Sequence, residues 1–138
     1  MSTKINEALI IGGSSGIGLA TAKLLTQAGI RVTLVGRKPE KLQKAVNSLD
    51  GNISFISTDL YCKDSVDSLI EIISSNETHI NYLVNAAGYF NPKAFTEQTP
   101  DDYDLYMDLN KSLFFISQAV SLNMKIHGGG SIVNIGSM

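Results

Sequence analysis

The segment Ile11-Gly12-Gly13-Ser14-Ser15-Gly16-Ile17-Gly18 follows the apolar run Ala8–Ile11 and opens a helical pattern of apolar residues. Glycines at such a junction permit a tight turn, the approach of a phosphate to bare backbone, and close packing of helix on strand. The amino end of the helix then offers free N–H groups to an anion. A flexible glycine-containing loop is the alternative, but the position at the first strand–helix junction favours phosphate binding. No Gly-Lys-Ser or Gly-Lys-Thr follows, so the segment is not a P-loop.

Outward from this turn, apolar runs rich in β-branched residues alternate with helical patterns. The strands are predicted at Ala8–Ile11, Arg31–Val35, Ile53–Ile56, Ile80–Val84 and Ser131–Ile135. The helices are predicted from Ile17 to Ala28, from Pro39 to near Gly51, around Val66–Ile73, and from a Thr99 cap to about Ile126. Apolar strands separated by helices indicate an α/β fold with a parallel sheet covered on both faces. We therefore predict a doubly wound Rossmann sheet in one domain, residues 1–138.

Composition excludes several classes of protein. The 138 residues carry a net charge of −2, which favours neither nucleic acid nor an anionic membrane surface as a partner. Cys62 is the sole cysteine, so no internal disulfide is possible and a reducing compartment fits. The amino terminus lacks a secretory pattern, and no apolar run is long enough to span a bilayer. We expect a cytoplasmic protein without a metal site.

The spacing of Gly12, Gly16 and Gly18 resembles the Gly-x-x-x-Gly-x-Gly of the short-chain dehydrogenase/reductase family. The resemblance extends over almost the whole chain. In that family the loop usually has threonine before its first glycine and alanine after it, where this chain has Ile11 and Gly13. The resemblance implies an NAD(P)-binding domain. The residues that it implies for the cofactor phosphates are Gly12, Ser14, Ser15, Gly16, Ile17 and Gly18.

The second predicted strand is followed by Gly36, Arg37 and Lys38. An NAD enzyme usually has an acidic residue here to accept hydrogen bonds from the ribose, and glycine cannot do so. Arg37 presents a planar fork of donors that suits a phosphate, and Lys38 adds a second charge. Two solvated cations at a helix start are the alternative. In the family, a basic residue at this position resembles a marker of NADP, so we favour NADP over NAD.

Two further strand ends match the family in order. Asp59 stands where the family has an aspartate that bonds the adenine amino group, and the backbone of Leu60 would contact the ring. A helix cap is the other role open to Asp59. Beyond the fourth strand, Asn85-Ala86-Ala87-Gly88 resembles the family's Asn-Asn-Ala-Gly, with Ala86 in place of the second asparagine. The resemblance implies that these residues lie against the nicotinamide ribose and that Asn85 ties neighbouring strand ends together.

Hydride transfer to a carbonyl needs a proton donor and a group that polarises the oxygen. Ser137 resembles the family's catalytic serine, and Asn110 resembles the helix asparagine of its proton relay. In the family the Tyr-x-x-x-Lys lies beyond the serine, whereas all five tyrosines of this chain, including Tyr89 with Lys93 four residues later, precede Ser137. We expect the chain alone to be inactive for that reason.

The resemblance as a whole implies an NADP-dependent oxidoreductase that acts on a small-molecule carbonyl or alcohol. We expect an amino-terminal portion of a longer enzyme, with the sheet incomplete at its carboxyl-terminal edge, where Ser131–Ile135 would be exposed. The alternatives are a non-catalytic NADP-binding or sensor module and a subunit of a larger assembly. Family members typically associate through the long helix, so we expect a homo-oligomer formed through Asp101–Ile126.

Overall fold

The computed structural model describes residues 5–136, which form a five-stranded sheet with four long helices. The strands are β1 (Glu7–Ile11), β2 (Arg31–Gly36), β3 (Ile53–Ser57), β4 (Tyr82–Asn85) and β5 (Ser131–Asn134). The helices are α1 (Gly16–Gln27), α2 (Pro39–Asn47), α3 (Lys63–Ser74) and α4 (Pro100–His127), with a short 3₁₀ turn at Phe95–Glu97.

All neighbouring strands are parallel, in the order β3-β2-β1-β4-β5. The chain therefore adds β2 and β3 on one side of β1, and then β4 and β5 on the other side. The reversal lies between β1 and β4, where Ile11 is in register with Asn85. In sheets of this kind, ligands bind beyond the carboxyl ends of the strands at the point of reversal.

Two hydrophobic cores cover the two faces of the sheet. One joins α1 and α2 to the sheet through residues such as Ala22, Leu42 and Ile10. The other joins α3 and α4 to the opposite face, with Leu69 and Ile116 completely or almost completely buried. Alternate residues of the central strands therefore serve opposite cores, which explains why the strands are apolar throughout. The prediction of a doubly wound α/β fold is confirmed.

The predicted strands agree with the observed ones to within one or two residues, and the largest difference is at β4. The run from Ile80 was expected to be strand, yet the first strand residue is Tyr82. The N–H of Ile80 instead donates to Oδ1 of Asn123 on α4, at 2.9 Å. A side chain from a distant helix thus replaces the strand partner at this residue.

Helix α4 begins with a reciprocal capping arrangement. The backbone N–H of Asp102 donates to the Thr99 hydroxyl at 3.2 Å, and the Thr99 N–H donates to the Asp102 carboxylate at 2.9 Å. Lys93 in the preceding loop donates to the same carboxylate at 2.8 Å. These hydrogen bonds, first that from Lys93 and then that from the Thr99 backbone, lower the pKa of Asp102 to about 2. The loop before α4 is therefore tied to the start of the helix.

Helix α4 carries more apolar side chains than its contact with the sheet uses. Ile116 and Val120 are buried, whereas Phe114 is 65% exposed and Ile126 is 65% exposed. The homo-oligomer expected through Asp101–Ile126 stays a prediction. At the sheet edge, β5 exposes apolar side chains as expected, with Val133 51% exposed. Among residues 5–136, no helix combines the length and apolar character needed to cross a bilayer.

Candidate nucleotide-binding site

A cleft of about 830 Å³ lies at the carboxyl ends of the strands, over the point where the strand order reverses. Its floor is the glycine turn after β1, and its walls are the segments that follow β2, β3 and β4. The lining residues are Gly12, Ser14, Ser15, Gly16, Ile17, Val35, Gly36, Arg37, Thr58, Asp59, Leu60, Tyr61, Ala86, Ala87, Gly88, Tyr89, Leu105 and Leu109. This volume is within the range of small-molecule and cofactor pockets.

Backbone packing requires glycine at two positions of the turn. Gly12 has φ +86°, and a Cβ there would lie 2.6 Å from the backbone nitrogen of Ala87. Gly18 lies in the first turn of α1, where a Cβ would collide with the carbonyl oxygen of Gly12. The turn therefore packs backbone against backbone on both sides, as a dinucleotide-binding turn must. Gly18 itself contributes packing and does not line the cleft.

The amino end of α1 faces the cleft with its backbone donors free. Ser15 is the N-cap residue, yet its side chain makes no capping hydrogen bond, and the first turn holds no acidic residue. The first intrahelical bond of this end runs from Leu19 N–H to Ser15 O, so the N–H groups of the first turn have no helical partner. Gly16 has φ +54° and open space where a Cβ would project. The arrangement suits an anion such as a diphosphate.

The two departures of the turn from the family pattern have local explanations. A Cβ at Gly13, where the family has alanine, would lie 2.7 Å from Cδ2 of Leu34. Leu34 is itself fully buried in the core under the turn. Ile11 is buried too, and its carbonyl accepts the N–H of Ala86 at 2.8 Å. A backbone hydrogen bond thus joins the turn to the end of β4 without a threonine hydroxyl.

At the end of β2, Gly36 and Arg37 both line the cleft. A Cβ at Gly36 would lie 3.1 Å from Cδ2 of Leu42, so this position has little room for an acidic side chain. Arg37 is exposed and forms no salt bridge with any residue between 5 and 136. Lys38 is the N-cap residue of α2 and lies outside the cleft lining. The structure therefore brings Arg37, but not Lys38, to the cleft wall.

Beyond β3, Asp59 and Leu60 line the same end of the cleft as Arg37. Oδ1 of Asp59 accepts the backbone N–H of Tyr61 at 3.0 Å, which stabilises the turn between β3 and α3. The N-cap residue of α3 is Cys62, so Asp59 is not the cap of that helix. This removes the alternative role considered for Asp59. Its other carboxylate oxygen has no hydrogen-bond partner among residues 5–136.

The segment after β4 divides its residues between two sides of the sheet. Ala86, Ala87 and Gly88 line the cleft, whereas the Asn85 side chain points toward α4. Its Nδ2 donates to Ser117 Oγ at 3.0 Å and to Oδ1 of Asn134 on β5 at 2.7 Å. Asn85 thus ties the end of β4 to the end of β5, as the resemblance implied, and does not itself line the cleft. Its Oδ1 is buried without a partner among the described residues.

Asn110 and Ser137 are the two residues expected to take part in catalysis, and the structure describes only the first. Asn110 is exposed on α4, one residue after Leu109, whose side chain lines the cleft. Ser137 lies outside the described residues. Among residues 5–136, no three His, Cys, Asp or Glu side chains are grouped as metal ligands. The described residues therefore form a nucleotide-sized cleft.

Several of the residues that line the cleft, among them Tyr61, Leu105 and Leu109, have no role assigned from the sequence. The signal for the two leucines was available, because residues four apart on a helix share one face. Tyr61 follows Asp59 by two residues, in a turn whose direction the sequence does not specify. Tyr89 also lines the cleft and packs edge-on against Tyr106, with ring centroids 5.0 Å apart.

Comparison with known proteins connects this cleft to a family. An uncharacterized oxidoreductase of Staphylococcus aureus (strain USA300) is 34% identical over 133 residues, covering 95% of this chain and 58% of the relative. The crystal structure of an actinorhodin polyketide ketoreductase variant with NADPH superposes with a TM-score of 0.87 at 27% identity, covering 96% of this chain and 53% of that one.

A second solved structure, L-sorbose reductase from Gluconobacter frateurii complexed with NADPH and L-sorbose, superposes with a TM-score of 0.86 at 27% identity. The match covers 97% of this chain and 53% of L-sorbose reductase. The chain thus spans between half and two thirds of these proteins. The short chain dehydrogenase family model matches residues 6–138. On this match, the chain belongs to the short-chain dehydrogenase family of oxidoreductases.

Proposed function

We propose that this chain is the cofactor-binding part of an NADP-dependent oxidoreductase acting on a carbonyl/alcohol pair. The observation that carries the proposal is the glycine turn. Its backbone is packed so closely on the end of β4 that no side chain fits at Gly12, and the free amino end of α1 opens beside it. Such a turn holds a dinucleotide diphosphate through amide hydrogens.

In this proposal, the two halves of the dinucleotide lie on opposite sides of the point of reversal. The adenosine half would lie over β2 and β3, between Arg37 and Asp59. The nicotinamide half would lie over β4, against Ala86, Ala87 and Gly88. When bound, the nicotinamide ring supplies or accepts the hydride. The residues of this chain bind and orient the cofactor, and Leu105 and Leu109 form an apolar wall of the cleft.

Preference for NADP rests on the charge and shape at the end of β2. Gly36 offers no carboxylate to a ribose hydroxyl, and a Cβ there would make a tight contact of 3.1 Å with Cδ2 of Leu42. Arg37 stands at the cleft wall with its guanidinium unpaired among residues 5–136, ready for a 2′-phosphate. The two similar structures described above contain NADPH, which is consistent with this preference.

Thermal unfolding with and without nucleotide tests the proposal. A ligand at a hundred times its Kd stabilises the folded state by about 2.7 kcal/mol. At equal concentrations we therefore expect NADPH to raise the melting temperature more than NADH. Equal shifts would contradict the assignment of Arg37, and the absence of any shift with either nucleotide would contradict nucleotide binding.

A non-catalytic nucleotide-binding module is the second candidate, and one observation favours it for the chain itself. Of the five tyrosines only Tyr89 has a lysine four residues later, Lys93, but the two lie outside any helix and Lys93 donates to the Asp102 carboxylate. We expect the 138-residue chain to bind NADPH without reducing a carbonyl. Steady oxidation of NADPH on addition of a ketone would contradict this expectation and would mean that another group donates the proton.

A further inference from the structure

Tyr61 stands between two cavities of the molecule. One is the nucleotide cleft, and the other is a groove of about 480 Å³ between α3 and α4. Both are lined by Leu60 and Tyr61, and by no other residue in common. Leu60 and Tyr61 therefore form the partition at the end of the cleft that also contains Arg37 and Asp59.

The backbone around this partition is held on two sides. The Tyr61 N–H donates to Oδ1 of Asp59 at 3.0 Å, and the Cys62 N–H donates to the Asp59 carbonyl at 3.0 Å. From the other side, the Ser112 hydroxyl on α4 donates to the carbonyl of Leu60. These bonds hold the backbone that carries the Tyr61 side chain, while the residue stays 40% exposed. An aromatic face is thus available at a defined place on the cleft wall.

The electrostatic surroundings keep the phenol neutral. Partial burial is the largest influence and raises the pKa of Tyr61, and the nearby Tyr89, Asp59 and Asp108 act in the same direction. The positive charge of Arg37 opposes them without reversing the shift. A neutral aromatic ring near one cation, Arg37, and two carboxylates, Asp59 and Asp108, is suited to an uncharged, flat, hydrogen-bonding group such as a purine.

Resting on the proposed function, we propose that Tyr61 is an adenine-binding residue whose ring packs against the base of the bound nucleotide. Asp59 would then meet the amino edge of the base, Arg37 the 2′-phosphate, and Tyr61 a face of the ring system. Base–aromatic stacking is worth enough to be detected by alanine substitution. The contact adds affinity at the adenosine end and contributes nothing at the nicotinamide end.

Direct binding measurements with adenosine 2′,5′-bisphosphate and with NADPH test the proposal. We expect Tyr61→Ala and Tyr61→Leu each to weaken the binding of both probes by about tenfold. Tyr61→Phe should bind within about twofold of wild type, because the ring is retained. Tyr103→Ala is the matched control, since Tyr103 is 61% exposed on α4 and outside the cleft lining.

The outcomes separate this inference from the proposed function. If the wild-type chain binds neither probe, nucleotide binding itself is wrong and the role of Tyr61 falls with it. If wild type binds and Tyr61→Ala binds equally well, only the role of Tyr61 is wrong. A loss in Tyr61→Phe as large as that in Tyr61→Ala would mean that the hydroxyl makes the contact, which overturns stacking. Circular dichroism of each variant checks that the fold is retained.

Discussion

Gly12 and Ala87 are packed backbone against backbone: a Cβ on Gly12 would lie 2.6 Å from the Ala87 nitrogen. The contact joins the turn after β1 to the segment after β4, on the two sides of the point where the strand order reverses. This contact therefore sets how far the turn after β1 lies from the segment after β4, which line the cleft together. Gly12 also has φ +86°, so two independent constraints require glycine there.

We predict that Gly12→Ala disrupts both folding and binding. The left-handed conformation costs a residue with a Cβ about 1–2 kcal/mol, and the contact with Ala87 adds to that. Urea unfolding should show a loss of at least roughly 2 kcal/mol, and calorimetry should show weakened NADPH binding. Gly136→Ala is the control, because open space surrounds that glycine. Wild-type NADPH affinity in Gly12→Ala would contradict the proposed position of the diphosphate.

We predict that Arg37→Ala separates the two cofactors. Charge-assisted hydrogen bonds contribute about 1.5–3 kcal/mol, so NADP affinity should fall by roughly tenfold to a hundredfold. NAD affinity should change little, since NAD has no 2′-phosphate. Lys38→Ala should have the smaller effect, because Lys38 lies outside the cleft lining. Titration calorimetry with both nucleotides measures the difference, and an equal loss for NAD would mean that Arg37 only supports the loop.

The fold was predictable because its decisive signals are local. Apolar runs such as Val32–Val35, separated by helical patterns, leave few arrangements other than a parallel sheet covered on both faces. The glycine turn and the Thr99 cap were likewise readable, since each depends on residues within a few positions. These signals set the strand ends, and the strand ends set the position of the cleft.

The features that were not predictable depend on distant contacts. The Ile80 N–H bonds to Asn123, 43 residues away, so the apolar run from Ile80 begins two residues before β4. Asn85 adjoins cleft-lining residues, yet the alternation of side chains along β4 turns it toward Ser117. The backbone before Tyr61 is held by a hydrogen bond from Ser112 on α4 to the carbonyl of Leu60. No sequence spacing specifies which helix covers a given strand end.

We predict a pH-dependent effect for Asp102→Asn. The folded-state pKa of Asp102 is lowered from 3.8 to about 2, so the folded state binds its proton less tightly than the unfolded state does. The carboxylate therefore stabilises the fold fully above the unfolded value, and this contribution is lost as the pH falls from 3.8 toward 2. Urea unfolding should find Asp102→Asn less stable than wild type at pH 7, with the difference shrinking below pH 4.

Two controls complete the Asp102 experiment. Asp101→Asn changes the neighbouring acid in the same helical turn, which has no hydrogen bond to Lys93. The difference in free energy of unfolding between Asp101→Asn and wild type should not shrink in the same way at low pH. Lys93→Met should reproduce part of the Asp102→Asn effect at pH 7. A difference between Asp102→Asn and wild type that stays constant from pH 7 to pH 3 would contradict the role assigned to the ion pair.

We predict that Asn123→Ala is among the more destabilising single changes on α4. Asn123 is 1% exposed, accepts the Ile80 N–H at 2.9 Å and donates to the Thr78 carbonyl at 2.8 Å. Alanine would leave the Ile80 N–H buried without a partner, at about 1–3 kcal/mol, and would open a small cavity as well. Urea unfolding should show a loss of roughly 2–4 kcal/mol, whereas Gln118→Ala, exposed on the same helix, should change little. Because Asn123 lies at the opposite end of the sheet from the cleft, the folded Asn123→Ala variant should bind NADPH with wild-type affinity. Equal stability of Asn123→Ala and Gln118→Ala would mean that the Asn123 hydrogen bonds do not anchor the segment before β4.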